Sequence, residues 1–295
     1  MTGVRQWVAR GAERLAAAGI GSANLDARVL LARAMDVPSE ALVFAAAPST
    51  AQLERYETLI ARRESREPLA YVTGCKEFWS LTFEVGPGVL VPRPDTETLL
   101  DEVLRAFPDH AQPLDVLDLG TGSGCLLIAF LSQYSQARGV GVDESDAALA
   151  WARRNADRNG VAQRCTWLRG GWAAAQERTF DVILSNPPYL AAAEHRDLAP
   201  EIARHEPREA LFAGEDGLDA YRALAPVIAK SLRPGGWSGV EIGAGQQDRV
   251  CEIIAGAGLE IARVAPDLSG TPRCVVIRPI LGVAEKTVGN SRSSR

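Results

Sequence analysis

Val116-Leu117-Asp118-Leu119-Gly120-Thr121-Gly122-Ser123-Gly124 reads as a buried strand running straight into a glycine-rich turn. The apolar run Cys125 to Leu131 follows and opens a helix, so the segment is strand, tight turn, helix. That order places the turn at the carboxyl end of the strand, where open α/β sheets bind their ligands. Glycines let backbone approach a ligand closely. The dinucleotide fingerprint sets its third glycine one residue later, so Gly120, Gly122 and Gly124 by themselves suit any adenosine-containing cofactor.

The flanking sequence repeats the alternation of strand and helix. Gly139-Val140-Gly141-Val142 is a second strand, ending in Asp143, whose carboxylate is placed to accept hydrogen bonds from ribose hydroxyls. Glu144 to Asn159 reads as helix and Cys165 to Leu168 as a third strand. Phe180 to Ser185 is a fourth, and a helical stretch from Leu218 to Leu232 carries Pro226, expected to kink or split it. Trp237 to Ile242, Leu259 to Val264 and Arg273 to Ile277 complete the set. Alternation of this kind predicts an α/β fold with a doubly wound, mostly parallel, seven-stranded sheet.

The fourth strand runs into Asn186-Pro187-Pro188-Tyr189, again at a carboxyl end. Pro188 stiffens the turn and turns the Pro187 carbonyl outward as an acceptor. Asn186 adds a side-chain acceptor, and Tyr189 an aromatic face for a planar group. Two acceptors and a ring suit a flat nitrogen carrying two N–H groups. Its lone pair is delocalised, so holding both N–H groups would orient it toward an electrophile. Hydride transfer has no obvious use for this loop, whereas methyl transfer to an amide or amino nitrogen does, which points to S-adenosylmethionine and to no metal.

Composition narrows the class. Hydrophobic residues make up 46% and charged residues 23%, as in an ordinary folded protein. A net charge of -5 argues against general binding to a phosphate backbone. Cys75, Cys125, Cys165, Cys251 and Cys274 are widely spaced with no C-x-x-C pair, which predicts reduced thiols in the cytoplasm. His110, His195 and His205 form no ligand cluster and are read as surface or loop residues. No apolar run is long enough to span a bilayer.

Ahead of the sheet, Val4, Trp7, Val8 and Leu15 share one helical stripe, and Leu25, Leu30, Leu31 and Ala34 suggest a second helix. Ser49 with Gln52 reads as a capping box for a helix facing inward through Leu53, Tyr56 and Ile60. Phe78 to Val85 suits a hairpin closed by Gly86-Pro87-Gly88. In Val91 to Thr98, Asp95 could cap a helix beginning near Thr96, or the segment could close over the cofactor cleft.

Asp118 to Gly124 and Asn186 to Tyr189 together resemble the class I S-adenosylmethionine-dependent methyltransferases that modify planar nitrogens. More of the chain is similar to one branch, the release-factor glutamine methyltransferase family. The similarity runs through Glu67 to Gly74, Glu77 to Trp79, Val91 to Glu97, Glu206-Pro207, Ala210-Leu211, Gly217 and Asp267 to Arg273. The resemblance implies N5-methylation of the glutamine in the Gly-Gly-Gln loop of class I peptide-chain release factors. It implies a Rossmann-like methyltransferase domain behind a small N-terminal helical domain. The expected division is a helical substrate-recognition domain at 1–74, a hairpin linker at 75–92, the methyltransferase domain at 93–281 and a disordered tail at 282–295.

Carried over residue by residue, Gly120, Thr121, Gly122, Ser123, Gly124, Asp143, Trp172 and Asn186 are expected to hold S-adenosylmethionine. Asn186, Pro187, Pro188 and Tyr189 are expected to hold the glutamine, with Asn186, Pro187 and Tyr189 carrying catalysis. Gly171 precedes Trp172 where the family often has an acidic side chain. The expected partner is the release factor, without direct nucleic-acid or membrane contact, for a cytoplasmic monomer. The alternatives are a glutamine of a ribosomal protein, adenine N6 of a nucleic acid, or a non-catalytic cofactor-binding module.

Overall fold

The structure is a computed structural model in which residues 3–280 are described. The tail expected over 282–295 lies outside the described residues. The chain opens with helices α1 (Val4–Ala17), α2 (Ala23–Met35), α3 (Thr50–Glu64) and α4 (Leu69–Thr73). The capping box at α3 forms: Ser49 Oγ accepts from Gln52 N at 3.3 Å and Gln52 Oε1 from Ser49 N at 2.8 Å. The helical stripes meet in a core of Leu15, Leu30, Leu31, Leu42, Tyr56 and Ile60. Leu25 does not join it and is 56% exposed. The buried positions of α2 include Ala23, Ala27, Leu30 and Ala34, and a residue two positions from both Ala23 and Ala27 faces elsewhere on a helix.

Close packing makes Gly11 a sensitive position. A Cβ there would lie 2.0 Å from the Tyr56 hydroxyl, which donates to the Trp7 carbonyl at 3.1 Å. Gly11→Ala is expected to destabilise the protein by about 1–3 kcal/mol despite alanine's helix preference, read as a lower thermal midpoint.

A hairpin of β1 (Cys75–Phe78) and β2 (Leu81–Glu84) follows. Its turn is not Gly86-Pro87-Gly88, as the sequence suggested, but Trp79-Ser80, with φ of 52° and 57°. Two left-handed central residues match the twist of the strands, and the Glu97 carboxylate holds the Trp79 N–H at 2.8 Å, supporting a turn made without glycine. The chain then passes a 3-10 turn at Pro94–Thr96 into α5 (Glu97–Ala106). Asp95 makes no capping hydrogen bond; its carboxylate lies 3.5 Å from Arg273 instead.

The larger part runs β3 (Asp115–Leu119), α6 (Cys125–Gln133), β4 (Arg138–Asp143), α7 (Asp146–Arg158), β5 (Cys165–Arg169) and β6 (Phe180–Ser185). It continues through α8 (Pro200–His205), α9 (Asp219–Ser231), β7 (Leu232–Glu241), α10 (Gln247–Gly256), β8 (Leu259–Pro266) and β9 (Pro272–Pro279). The sheet order is β5-β4-β3-β6-β7-β9-β8, with β9 antiparallel to both of its neighbours. Successive residues face opposite layers. Val116, Val182 and Leu184 enter one core with α6, while Leu117, Leu119 and Ile183 enter the other with α9 and α10. Pro226 does not split α9, because Tyr221, Leu224 and Ile228 bury its inner face and offset the missing hydrogen bond.

The helical layer joins the sheet part through paired charges. Arg63 donates to Asp26 at 2.8 Å and to Glu201, on α8, at 2.9 Å. Arg66 reaches the same Glu201 at 2.8 Å and the Gly19 carbonyl at 2.7 Å. With Arg63 and Asp26 almost wholly buried, each charge is retained only because the others answer it.

Candidate active site

Strand register builds the site. Leu119 pairs with Val142 on one side and Ser185 on the other, and Ser185 pairs with Val240. Gly120, Asp143, Asn186 and Glu241 therefore follow matched positions on four adjacent parallel strands, about 4.8 Å apart from strand to strand. One carboxyl edge presents them all.

At the first of these edges the glycine turn is left-handed at Gly120, Gly122 and Gly124, with φ of 73°, 54° and 78°. Their uses differ. A Cβ on Gly120 would press on the Trp172 ring at 3.2 Å, and one on Gly124 would strike Ile128 at 2.9 Å. A Cβ on Gly122 would meet nothing nearer than Val89 at 3.9 Å, so its missing side chain leaves room on the cleft side. Asp143 ties this turn to the next strand: one carboxylate oxygen accepts from Gly122 N and the other from Ser145 N, each at 2.9 Å. Burial nonetheless raises its pKa, against those N–H donors. Behind the turn, Asp118 accepts from the Thr121 hydroxyl at 2.6 Å, and its second oxygen is buried without a partner. Burial pushes the Asp118 carboxyl up to about 7.

The Asn186 loop is held from below. Gln246 donates to the Tyr189 carbonyl at 2.8 Å, and Leu190 N donates to the Leu211 carbonyl at 2.9 Å. Glycines let these parts close up, since a Cβ at Gly217 would lie 2.4 Å from the Tyr189 carbonyl oxygen. Asn186 donates from Nδ2 to Thr96 Oγ1 at 3.0 Å, which leaves Oδ1 as its open acceptor. Arg93 in the same segment pairs with the buried Glu206 at 2.7 Å.

One cleft, about 1080 Å³ with open solvent at its mouth included, is lined by the Gly120 to Ser123 turn, Asp143, Trp172, Asn186 and Pro188. Of the other expected residues, Gly124 packs inward and Pro187 is buried, while Tyr189 is half-buried against the core formed with α9. Thr96, Arg93, Glu144, Ser145 and Glu209 also line the cleft and were not singled out one by one in the sequence. Thr96 and Arg93 belong to the Val91 to Thr98 segment, which both leads into α5 at Glu97, as expected, and lines the cleft, while the Asp95 cap does not form. Glu144 stands where Gly171 opens space, its carboxylate 2.9 Å from where a Cβ on Gly171 would be. No sequence signal marks Glu241 or Gln246.

Comparison with known proteins fits this arrangement. The PrmC N-terminal domain model matches residues 6–74 and the methyltransferase small domain model residues 94–214. A Caulobacter vibrioides protein named release factor glutamine methyltransferase is 41% identical over 279 residues, 94% of this chain and 96% of its own. The chain belongs to the release factor glutamine methyltransferase family. A second such methyltransferase, from Cereibacter sphaeroides, is 44% identical over 90% of this chain and 94% of its own. Among solved structures, a T. thermophilus 16S rRNA N2 methyltransferase in complex with AdoMet and guanosine is similar with a TM-score of 0.51. It is 22% identical over 70% of this chain and 49% of that one, a likeness of fold. No helix among the described residues of this methyltransferase is long and apolar enough to cross a membrane.

Proposed function

We propose that this protein transfers a methyl group from S-adenosylmethionine to the side-chain amide nitrogen of the glutamine in the Gly-Gly-Gln loop of class I release factors, in the cytoplasm and as a monomer. The observation that carries the reading is the side chain of Asn186. Its amino group is committed to Thr96, so its oxygen is the group left to the cleft that it lines together with the glycine turn.

The cleft fits the donor by its chemistry. The space at Gly122 and the edge of Asp143 suit a ribose, Trp172 offers a ring for adenine, and the buried oxygen of Asp118 favours positive charge nearby. Gly120 to Gly124, Asp143 and Trp172 are the residues we assign to it, with Asn186 beside it on the glutamine side of the same cleft. When bound there, S-adenosylmethionine supplies an electrophilic methyl on its sulfonium. The protein's part is placement. Asn186 Oδ1 and the Pro187 carbonyl take the two amide N–H groups, and Pro188 and Tyr189 set the plane in which the amide lies. The displaced proton leaves to water once the new C–N bond has formed. We assign residues 1–74 to recognition of the substrate protein, 75–92 to the hairpin that links it, and 93–281 to catalysis.

The test is transfer of labelled methyl from S-adenosylmethionine to a purified class I release factor and to a variant lacking the Gly-Gly-Gln glutamine. Label on the intact factor alone is the expected result. Label on a ribosomal protein or nucleic acid instead would overturn the substrate assignment and spare the chemistry.

A further inference from the structure

Asp143 pairs with Arg169 where β4 and β5 run out side by side, so Glu144 leaves one strand next to Gly170 and Gly171 leaving the other. The two glycines differ. Gly170 has φ of 155°, in the region that favours glycine. Gly171 has φ of -72° and ψ of -177°, ordinary extended backbone that any residue adopts. What sets position 171 apart is the space beside it: a Cβ there would meet one neighbour within 4 Å, the Glu144 carboxylate, with Oε1 at 2.9 Å. The glutamate side chain fills the room that the glycine leaves.

Nothing in the fold uses that carboxylate. Among the described residues it takes part in no hydrogen bond and no ion pair: Arg169 reaches the main-chain carbonyl of Glu144 at 3.5 Å and pairs with Asp146 at 3.3 Å. Asp143, one residue earlier, has both of its oxygens engaged by backbone N–H groups. Glu144, Gly170, Gly171 and Trp172 all line the cleft. The Trp172 ring lies 3.2 Å from where a Cβ on Gly120 would be, so the indole reaches from the loop after β5 to the turn after β3. The free carboxylate therefore stands next to the ring assigned to adenine. A carboxylate can only accept hydrogen bonds. Adenine carries an exocyclic amino group, which donates, where hypoxanthine carries a carbonyl oxygen, which accepts.

We propose that Glu144 is the residue that selects adenine, its carboxylate accepting from the exocyclic amino group of the base beside Trp172. The inference rests on the placement of the methyl donor in this cleft argued above, and not on which protein receives the methyl. Glu144 is exposed, so water competes for the same oxygens and the preference it confers is moderate. The division of labour is then by neighbouring residues of one loop: Asp143 anchors the glycine turn and meets the ribose, and Glu144 reads the base.

Calorimetric titration of the full chain with S-adenosylhomocysteine and with S-inosylhomocysteine tests this, since the two ligands differ only in the base. Wild type is expected to bind the adenosyl compound about tenfold more tightly. Glu144→Ala is expected to lose most of that ratio by weakening S-adenosylhomocysteine, with the thermal midpoint of the free protein little changed, because the side chain is exposed and unpaired. Glu144→Gln gains an amino group that can donate to the carbonyl oxygen of hypoxanthine, and is expected to bring the ratio to about one or to reverse it. A ratio that stays at the wild-type value in both variants overturns the proposal. Equal weakening of both ligands in Glu144→Ala also overturns it, assigning the carboxylate to the ribose or to charge alone. A wild-type protein that binds neither ligand would sink the placement of the donor as well, whereas one that binds S-adenosylhomocysteine and labels no release factor would sink the substrate assignment alone and leave the ratio readable.

Discussion

Asn186→Ala is expected to cut methyl transfer to the release factor about 10²–10³-fold while leaving cofactor affinity within a few-fold of wild type. The residue removes nothing from the core and its side chain makes one hydrogen bond, to Thr96, so the fold has little reason to respond. What disappears is the acceptor that orders the amide. An amide nitrogen is nucleophilic only when its lone pair points at the methyl, and one remaining acceptor at Pro187 permits rotation about the N–H it holds. Steady-state kinetics with calorimetric titration of S-adenosylmethionine would check the split. A parallel loss of cofactor binding would place Asn186 in the donor site rather than the glutamine site.

The second large effect falls on the donor. Asp143→Ala is expected to weaken S-adenosylmethionine binding roughly 10²-fold, since hydrogen bonds to a charged group contribute about 1.5–3 kcal/mol each and about 1.4 kcal/mol is tenfold in affinity. Both carboxylate oxygens already accept backbone N–H groups, from Gly122 and from Ser145, so the alanine loses the turn's anchor together with the ribose acceptor. Asp143→Asn is the informative companion. It keeps the shape but must aim an amino group at one of those N–H groups, and is expected to fall between wild type and alanine in the same titration. Affinity equal to wild type in both variants would remove Asp143 from the cofactor site.

The sheet and its edge were legible because each strand is a short apolar run that stops at a glycine or a polar residue. Leu119 gives way to Gly120, Val142 to Asp143 and Ser185 to Asn186, and the parallel register then follows from the alternation with helices. What lay below the edge was not legible. Glu241 ends an apolar strand in the same way, but a glutamate at a strand end carries no signal until pairing with β6 sets it beside Asn186. Gln246 likewise becomes meaningful only when the Tyr189 carbonyl arrives from 57 residues away. The hairpin misled for a local reason. Gly-Pro-Gly is the stronger turn signal in isolation, and Trp79-Ser80 turns only because Glu97, across the chain, takes the freed N–H. Leu25 shows the same limit on a helix, where an apolar residue off the stripe cannot be told from one on it by hydrophobicity alone.

The charged junction at Glu201 bears on how such proteins can be recombined. Glu201 follows the Asn186 loop in sequence, on α8, yet its two partners, Arg63 and Arg66, belong to the helical layer. A chimaera spliced at the hairpin, taking its front helices from a relative with different residues at 63 and 66, would strand a carboxylate in a nearly closed interface beside the segment that brings Arg93 and Thr96 to the cleft. The exchangeable cassette is therefore discontinuous: it must carry α8 along with the first four helices, or the graft will inherit the donor's grip without the recipient's reach.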